Sequence, residues 1–427
     1  MINKASSTKQ QKVVIIGGGF AGLTLARKLS KDLNFHITIV DKNNYHFFPP
    51  LLYQVASSFI EPSSISYPFR RWMQNKKNLR FYLAEFIGID PYKKIIKTNQ
   101  GELAYDKAVL CIGTVTHFFG MENIAREAFP MKTIQESLGL RNHLLSCLEQ
   151  ASKEKDEEKR KAWTRVVIAG GGPTGVELAG MLAELSRNIG KKEYPEIPEF
   201  GEHIILADAG PVLLAPMSRK AQQEAEEVLR QLGVKVFLNH PVKDYQNHEV
   251  IFADGTTIKT HTLVWASGVI GYDIEGLPKE SIGRGKRIIC DEYNKIVGLE
   301  DVYALGDACL QQHQNTFKNG HPQVAQVAIQ QAQRLGENLI REKNGEMKTP
   351  FHYKDKGSMA IISKYRAVAD LPGISLRGFP AWVLWLLIHI FPLVGFRNKI
   401  ALAFNWFWAF ITNDPTLRMM IKAKERK

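Results

Sequence analysis

At 427 residues the chain is too long for one ordinary domain, and two or three domains are expected. An apolar share of 44% and a charged share of 23% exclude extensive disorder. The formal charge of +13 fits nucleic acid, an anionic membrane face or an anionic cofactor, and alone does not choose among them.

The opening residues, MINKASSTKQQK, are short and polar. With no apolar signal core and no long Arg-rich transit segment, neither export nor organelle import is indicated. KVVIIGGGFAGLTLAR follows, an apolar strand, a glycine turn and an amphipathic helix, with Gly17, Gly19 and Gly22 in the pattern G-x-G-x-x-G. The first glycine permits the tight turn, the second admits a pyrophosphate to the backbone, and the third lets helix pack on strand. The helix N-terminus then offers free N–H groups and a positive dipole end to phosphates. The next strand, FHITIVD, ends at Asp41, about 20 residues beyond the glycines, where a carboxylate binds ribose. Its plainer reading is a strand-end turn residue. Further on, YDKAVLCIGT is an apolar strand reaching Gly113 and Thr114, where such folds bring backbone against a flavin.

Residues 151–162, ASKEKDEEKRKA, read as a solvated charged stretch without chemistry. They lead into RVVIAGGGPTGVELAG, a second copy of the first motif, with Gly170, Gly172 and Gly175. One such motif is weak evidence, and two in strand–helix context are strong. The strand HIILAD ends at Asp208, later than the spacing requires, and the delay is assigned to an inserted loop, NIGKKEYPEIPEFGE. No Arg adjoins Asp208 to accept a 2′-phosphate, so NADH is expected over NADPH. Glu177 is placed in the first turn of the second motif helix. It is read as a carboxylate that orients a nicotinamide or relays a proton, with a dipole-stabilised surface residue as the alternative. His46 is read as structural. DVYALGDA ends in Gly306 and Asp307, whose carboxylate suits ribityl hydroxyls. Its position downstream of the second repeat makes the first domain discontinuous.

The fold class is therefore α/β, with two Rossmann-like dinucleotide-binding domains and a C-terminal tail. The first domain takes residues 1–121 and 285–348, the inserted second domain 122–284, and the tail 349–427. From Gly378 to Phe396 no residue is charged. Pro380, Pro392, Gly395 and His389 speak against a span, and the tryptophans suit an interface. Arg377, Arg397 and Lys399 flank the apolar runs, and Arg418, Lys422, Lys424, Arg426 and Lys427 follow. An interfacial anchor on an anionic leaflet is preferred over a spanning hairpin, or a buried or dimer-forming helix. The four cysteines, Cys111, Cys147, Cys290 and Cys309, form no CxxC pair and no metal-ligand spacing, and read as reduced structural thiols. Their scatter argues against a disulfide oxidoreductase or a sulfide:quinone oxidoreductase. A soluble ferredoxin reductase needs no apolar tail, no nucleic-acid module is present, and no GK[ST] follows either glycine cluster. No metal is expected.

The whole chain resembles the type II NADH dehydrogenases, non-proton-pumping NADH:quinone oxidoreductases. The resemblance is carried by GGGFAGL, DKNNYHFFPPLLYQVA, GGGPTGVELAG, LVWASGV, VYALGDA, PQVAQVAIQQA, KGSMAIISKYRAVAD and WLLIHIFPLVGFRNK. It implies a respiratory-chain flavoprotein peripheral to the cytoplasmic face of a bacterial inner membrane, passing electrons from NADH through FAD to ubiquinone or menaquinone. FAD would be held by Gly17, Gly19, Phe20, Ala21, Gly22, Asp41, Lys42, Gly113, Thr114, Asp307 and Ala325. NADH would be held by Gly171, Gly172, Pro173, Thr174, Gly175, Asp208, Ala266, Ser267 and Gly268. Gln326 and Gln330, at i,i+4 in the family's quinone-proximal AQ motif, join Glu177 as reaction residues. Lys364 is included with a departure, because some members carry a functional Lys one place later, where this chain has Tyr365. A homodimer is left open.

Overall fold

The structure, a computed structural model, describes residues 10–197, 203–412 and 418–420. The N-terminal nine residues, the end of the loop before His203, and the cations from Lys422 onward lie outside the described residues.

Two compact units form. The first takes the chain up to His46, with Tyr67–Val115 and Val269–Asp355; the second takes Phe47–Ser66, Thr116–Gly268 and the chain from Lys356. The domain limits at 121, 284 and 348 stay a proposal for the cofactor domains and tail. Packing divides the chain elsewhere, because Phe47–Ser66 and the tail segment pack with one another.

The repeat in sequence is a repeat in topology. In the first unit a parallel sheet runs in the order Val302–Ala304, Lys107–Leu110, Gln11–Ile16, Phe35–Asp41 and Leu79–Leu83. In the second the order is Phe129–Pro130, Thr262–Trp265, Val166–Ala169, Ile204–Ala207 and Lys235–Phe237, again parallel. Both motif strands are central and buried, which is why VVII and VVIA are continuous β-branched or small apolar runs instead of alternating ones. Each fully buried Val, Ile or Leu contributes about 1.5–3 kcal/mol. An antiparallel three-stranded sheet accompanies each, Phe86–Ala104 in the first unit and Val242–Lys259 in the second.

The second motif helix runs Pro173–Glu193, so the first residues of NIGKKEYPEIPEFGE are helical, not loop. Gly190 is buried inside it, and helix packing outweighs the roughly 1 kcal/mol cost of an internal glycine. A further antiparallel sheet, Ser358–Ser363, Arg366–Leu371 and Ile374–Gly378, lies on this helix. Two tail helices follow, Phe379–Ile390 and Phe396–Thr412. No described helix is long and apolar enough to cross a membrane. All four cysteines are free and buried.

Candidate functional site

The two glycine turns are built alike, contact by contact. The Gly17 N–H donates to Val40 O and the Gly170 N–H to Ala207 O, each at 2.8 Å, tying turn to neighbouring strand. On the other side Cys111 N–H meets Ile16 O at 2.7 Å, and Ala266 N–H meets Ala169 O at 2.8 Å. Gly17 has φ +98° and Gly170 φ +121°, in the region that favours glycine. A Cβ on Gly17 would stand 2.3 Å from Cys111 O, and one on Gly170 would stand 2.7 Å from Ala266 O. The third glycines are equally forced: a Cβ on Gly22 or Gly175 would lie 1.9 Å from the carbonyl of Gly17 or Gly170. By contrast, Gly19 and Gly172 have nothing within 4 Å of a Cβ. These middle glycines leave room for a pyrophosphate against the backbone. They are also the helix N-caps, and neither helix has a side-chain cap bond. The first-turn N–H groups are thus left to a phosphate.

The aspartates close each turn. Asp41 accepts from Gly18 N–H (2.7 Å) and Asn43 N–H (2.8 Å); Asp208 accepts from Gly171 N–H (2.5 Å) and Gly210 N–H (2.6 Å). Burial raises the pKa of Asp41, against the two N–H bonds and the exposed Lys42, which lower it. In the first unit Phe20 and Gly19 stand at the mouth of the turn, and Ala21 is buried behind it. Gly113 takes φ +68°, Thr114 is buried, and Asp307 lies in the turn Gly306–Ala308, ahead of the helix Ala325–Lys343. In the second unit Pro173 and Thr174 are exposed at the helix start, and Ala266, Ser267 and Gly268 follow the strand beside it. These two donor sets fit two dinucleotides.

His46 is buried against the first glycine turn: its Nδ1–H donates to Gly18 O (2.9 Å), and burial pushes its pKa down to about 4. Glu177 differs from expectation. It sits in the second turn of its helix, which has no acidic residue in the first, and it is buried. The dipole-favoured surface reading therefore does not apply. Its carboxyl accepts from Ile361 N–H at 3.4 Å beside the fully buried Tyr53, and burial pushes its pKa well above the usual carboxylate range. Gln330 spends its amide on the backbone of Lys354, donating to O (2.9 Å) and accepting from N–H (3.1 Å). Gln326 is half-buried one turn earlier. Lys364 offers its N–H to Glu184 (2.6 Å) and stacks its ammonium on Tyr365.

Four residues were missed by sequence reasoning. Gln331, buried, accepts from Gly306 N–H (2.7 Å) and donates to Gln311 (2.7 Å), fixing the turn that carries Asp307. Glu184, two turns along from Glu177, has its pKa raised by burial to about 7. Gly180 lies between them, where a Cβ would come within 1.6 Å of Ile362 O. Phe119, exposed with φ +51°, has its ring against Gly268. The pattern E-x-x-G-x-x-x-E in GVELAGMLAE was the available signal for Glu184 and Gly180.

The chain matches the pyridine nucleotide-disulphide oxidoreductase family over residues 11–332 and the NDH2 C-terminal domain over residues 355–413. It is 33% identical to the type II NADH:quinone oxidoreductase Ndh of Mycobacterium tuberculosis, covering 96% of this chain and 90% of that one. It is 34% identical to NdhA of the same organism, covering 94% and 87%. Its fold matches NDH2 from Plasmodium falciparum, solved in complex with NADH, at a TM-score of 0.86 and 21% identity, over 97% of this chain and all of that one. A sulfide:quinone oxidoreductase from Aquifex aeolicus matches less well, at a TM-score of 0.71 and 16% identity over 95% and 92% of the chains. With both nucleotide cradles, the tail domain and near-full-length relatives in agreement, the chain belongs to the type II NADH:quinone oxidoreductases.

Proposed function

We infer that this protein passes electrons from NADH through FAD to a quinone without pumping protons. The observation that carries the reading is the duplicated cradle, two glycine turns each closed by a strand-end aspartate, one for each dinucleotide. FAD, when bound, supplies the two-electron chemistry linking NADH to quinone. The first-unit residues Gly17, Gly19, Phe20, Ala21, Gly22, Asp41, Lys42, Gly113, Thr114, Asp307 and Ala325 are assigned to hold it. Gly171 to Gly175, Asp208 and Ala266 to Gly268 are assigned to NADH. Glu177 is assigned a proton at its carboxyl oxygen, kept there by burial. Anaerobic addition of NADH should bleach the flavin absorbance, and quinone should then restore it. A flavin that NADH leaves oxidised would refute the reading.

Asp208 gives a specificity test. Its carboxylate lies at the second glycine turn, where it would accept from ribose hydroxyls and repel a 2′-phosphate. Asp208→Ser should lower kcat/KM for NADH by about 10-fold or more and narrow the preference over NADPH, an effect of about 1.4 kcal/mol. Unchanged selectivity in steady-state kinetics would remove Asp208 from the site.

The tail is assigned to a membrane surface, on the cytoplasmic face of a bacterial inner membrane. On the helix Phe396–Thr412 one face buries Leu402, Trp406 and Ala409, while Phe396, Ile400, Phe404, Phe407, Trp408 and Ile411 stand more than half exposed. An apolar outer face bordered by Arg397 and Lys399 suits shallow burial among headgroups. Truncation is a poor test, because Trp385 is fully buried and Trp406 donates to the buried Gln54 (2.8 Å). The triple variant Phe404→Ser, Phe407→Ser, Ile411→Ser spares those contacts. It should weaken vesicle binding by at least about 100-fold, since each apolar side chain contributes roughly 1.5–3 kcal/mol when buried. Undiminished sedimentation with vesicles would turn this face into a protein interface.

A further inference from the structure

Residues 62–84 contain five cations, Arg70, Arg71, Lys76, Lys77 and Arg80, and no Asp or Glu. We propose that Arg70, Arg71, Lys76 and Lys77 form a second membrane contact, a patch that takes the anionic headgroups of phospholipids. The proposal rests on the tail's docking at a membrane and deepens it by naming the lipid class.

The charges are placed for an outside partner. Arg70 and Arg71 are exposed on the short helix Phe69–Trp72, and Lys76 and Lys77 follow in the turn before the strand Leu79–Leu83. Among the described residues none of the five cations joins an ion pair. Other lysines of the same unit do: Lys94 and Lys107 with Asp301 (2.5 and 2.7 Å), and Lys97 with Glu275 (2.8 Å). Leu79–Leu83 is an edge strand, and cations on edges guard against stray pairing, but only Arg80 lies on it. Another cause is therefore required for the four that precede it.

Three aromatic rings carry the cations. Arg70 lies over Phe81 at 5.5 Å, Arg71 over Tyr67 at 5.7 Å and Lys76 over Trp72 at 4.8 Å. Half-buried Tyr and Trp beneath charged heads is the side-chain mixture of a headgroup region. Connectivity points the same way. Asn398 of the second tail helix donates to Ser66 O (2.8 Å) and Ser63 O (3.2 Å), and Asn405 donates to Ser64 Oγ (3.3 Å). Arg70 follows Ser66 by four residues, at most about 14 Å of extended chain. In the chain the basic residues thus follow directly on the segment that holds that helix.

The test uses the full-length, FAD-loaded protein and vesicles of phosphatidylcholine alone or mixed with phosphatidylglycerol. Binding to the neutral vesicles reports the tail helices, and the gain on anionic vesicles reports the patch. The quadruple variant Arg70→Gln, Arg71→Gln, Lys76→Gln, Lys77→Gln should lose on the order of 100-fold in affinity for the anionic vesicles. On neutral vesicles it should stay within about two-fold of the parent. Lys76→Glu with Lys77→Glu should act in the same direction, which guards against a fault in one variant. A gain that survives in both variants would assign lipid selectivity to the tail cations and overturn the proposal. So would a parent without any anionic gain, or one whose patch binds duplex DNA and not vesicles. Failure of the parent on neutral vesicles would instead refute the docking of the tail.

Discussion

Replacing Gly180 with alanine is expected to cost at least about 3 kcal/mol, while the same exchange at Gly139 is expected to stabilise the protein. Both glycines are helical, and the difference lies in what a methyl group meets. At Gly180 it meets the backbone carbonyl of Ile362 at 1.6 Å, in a segment held on either side of that residue by Glu177, at Ile361, and Glu184, at Lys364. Backbone cannot rotate aside as a side chain does, so helix and strand must separate. At Gly139, inside the helix Ile134–Ala151, nothing lies within 4 Å. There alanine brings only its better helix propensity, about 0.5–1 kcal/mol. Thermal unfolding of the two variants beside the parent checks the pair. Equal melting temperatures for parent and Gly180→Ala would mean that the strand does not pack on this helix.

Glu177→Gln is expected to lower quinone turnover by about 100-fold or more, the typical contribution of a positioned proton donor, yet to raise stability at neutral pH. Burial raises the pKa of this carboxyl well above its ordinary 4.5. The folded state therefore holds a proton that the unfolded chain releases above about pH 4.5. Stability from this source is fully present below 4.5 and is lost as pH rises toward the folded pKa, at about 1.4 kcal/mol per pH unit. Glutamine is neutral in both states and escapes that loss. Glu184, with its pKa raised to about 7, adds a slope of the same sign between about 4.5 and 7. Denaturant unfolding from pH 4.5 to 8 should show parent and Glu177→Gln converging at the acid end and the variant ahead at the alkaline end. Matching turnover would leave Glu177 a packing residue, and matching pH slopes would mean that it ionises freely in the fold.

The sequence disclosed the parts of this protein governed by local geometry. A glycine with φ near +100° and a carboxylate at the end of the next strand are demands of a turn, so Gly17, Gly170 and Asp41 were found by spacing, and Asp208 by its place at a strand end. Glu177 was located but misjudged, because its surroundings come from Tyr53 and Ile361, more than 100 residues away on either side. The glutamines show the same limit at finer scale. The resemblance named Gln326 and Gln330, at i,i+4 on one helix face, whereas the residue that holds the Asp307 turn is Gln331, one position round the helix and buried. Which face of a helix turns inward depends on its neighbours, and these come from distant segments. The late Asp208 misled for a related reason: a glycine inside a packed helix reads locally as a loop.

The cysteines give the fold an internal clock. Burial pushes the thiols of Cys111 and Cys290 far up, and that of Cys147 to about 11, so no reactive thiolate faces solvent in the native state. Cys111 and Cys290 belong to the first unit and Cys147 to the second. A maleimide added to intact protein therefore stays idle until a unit opens. The order in which peptides carrying these cysteines acquire label then records which dinucleotide fold yields first.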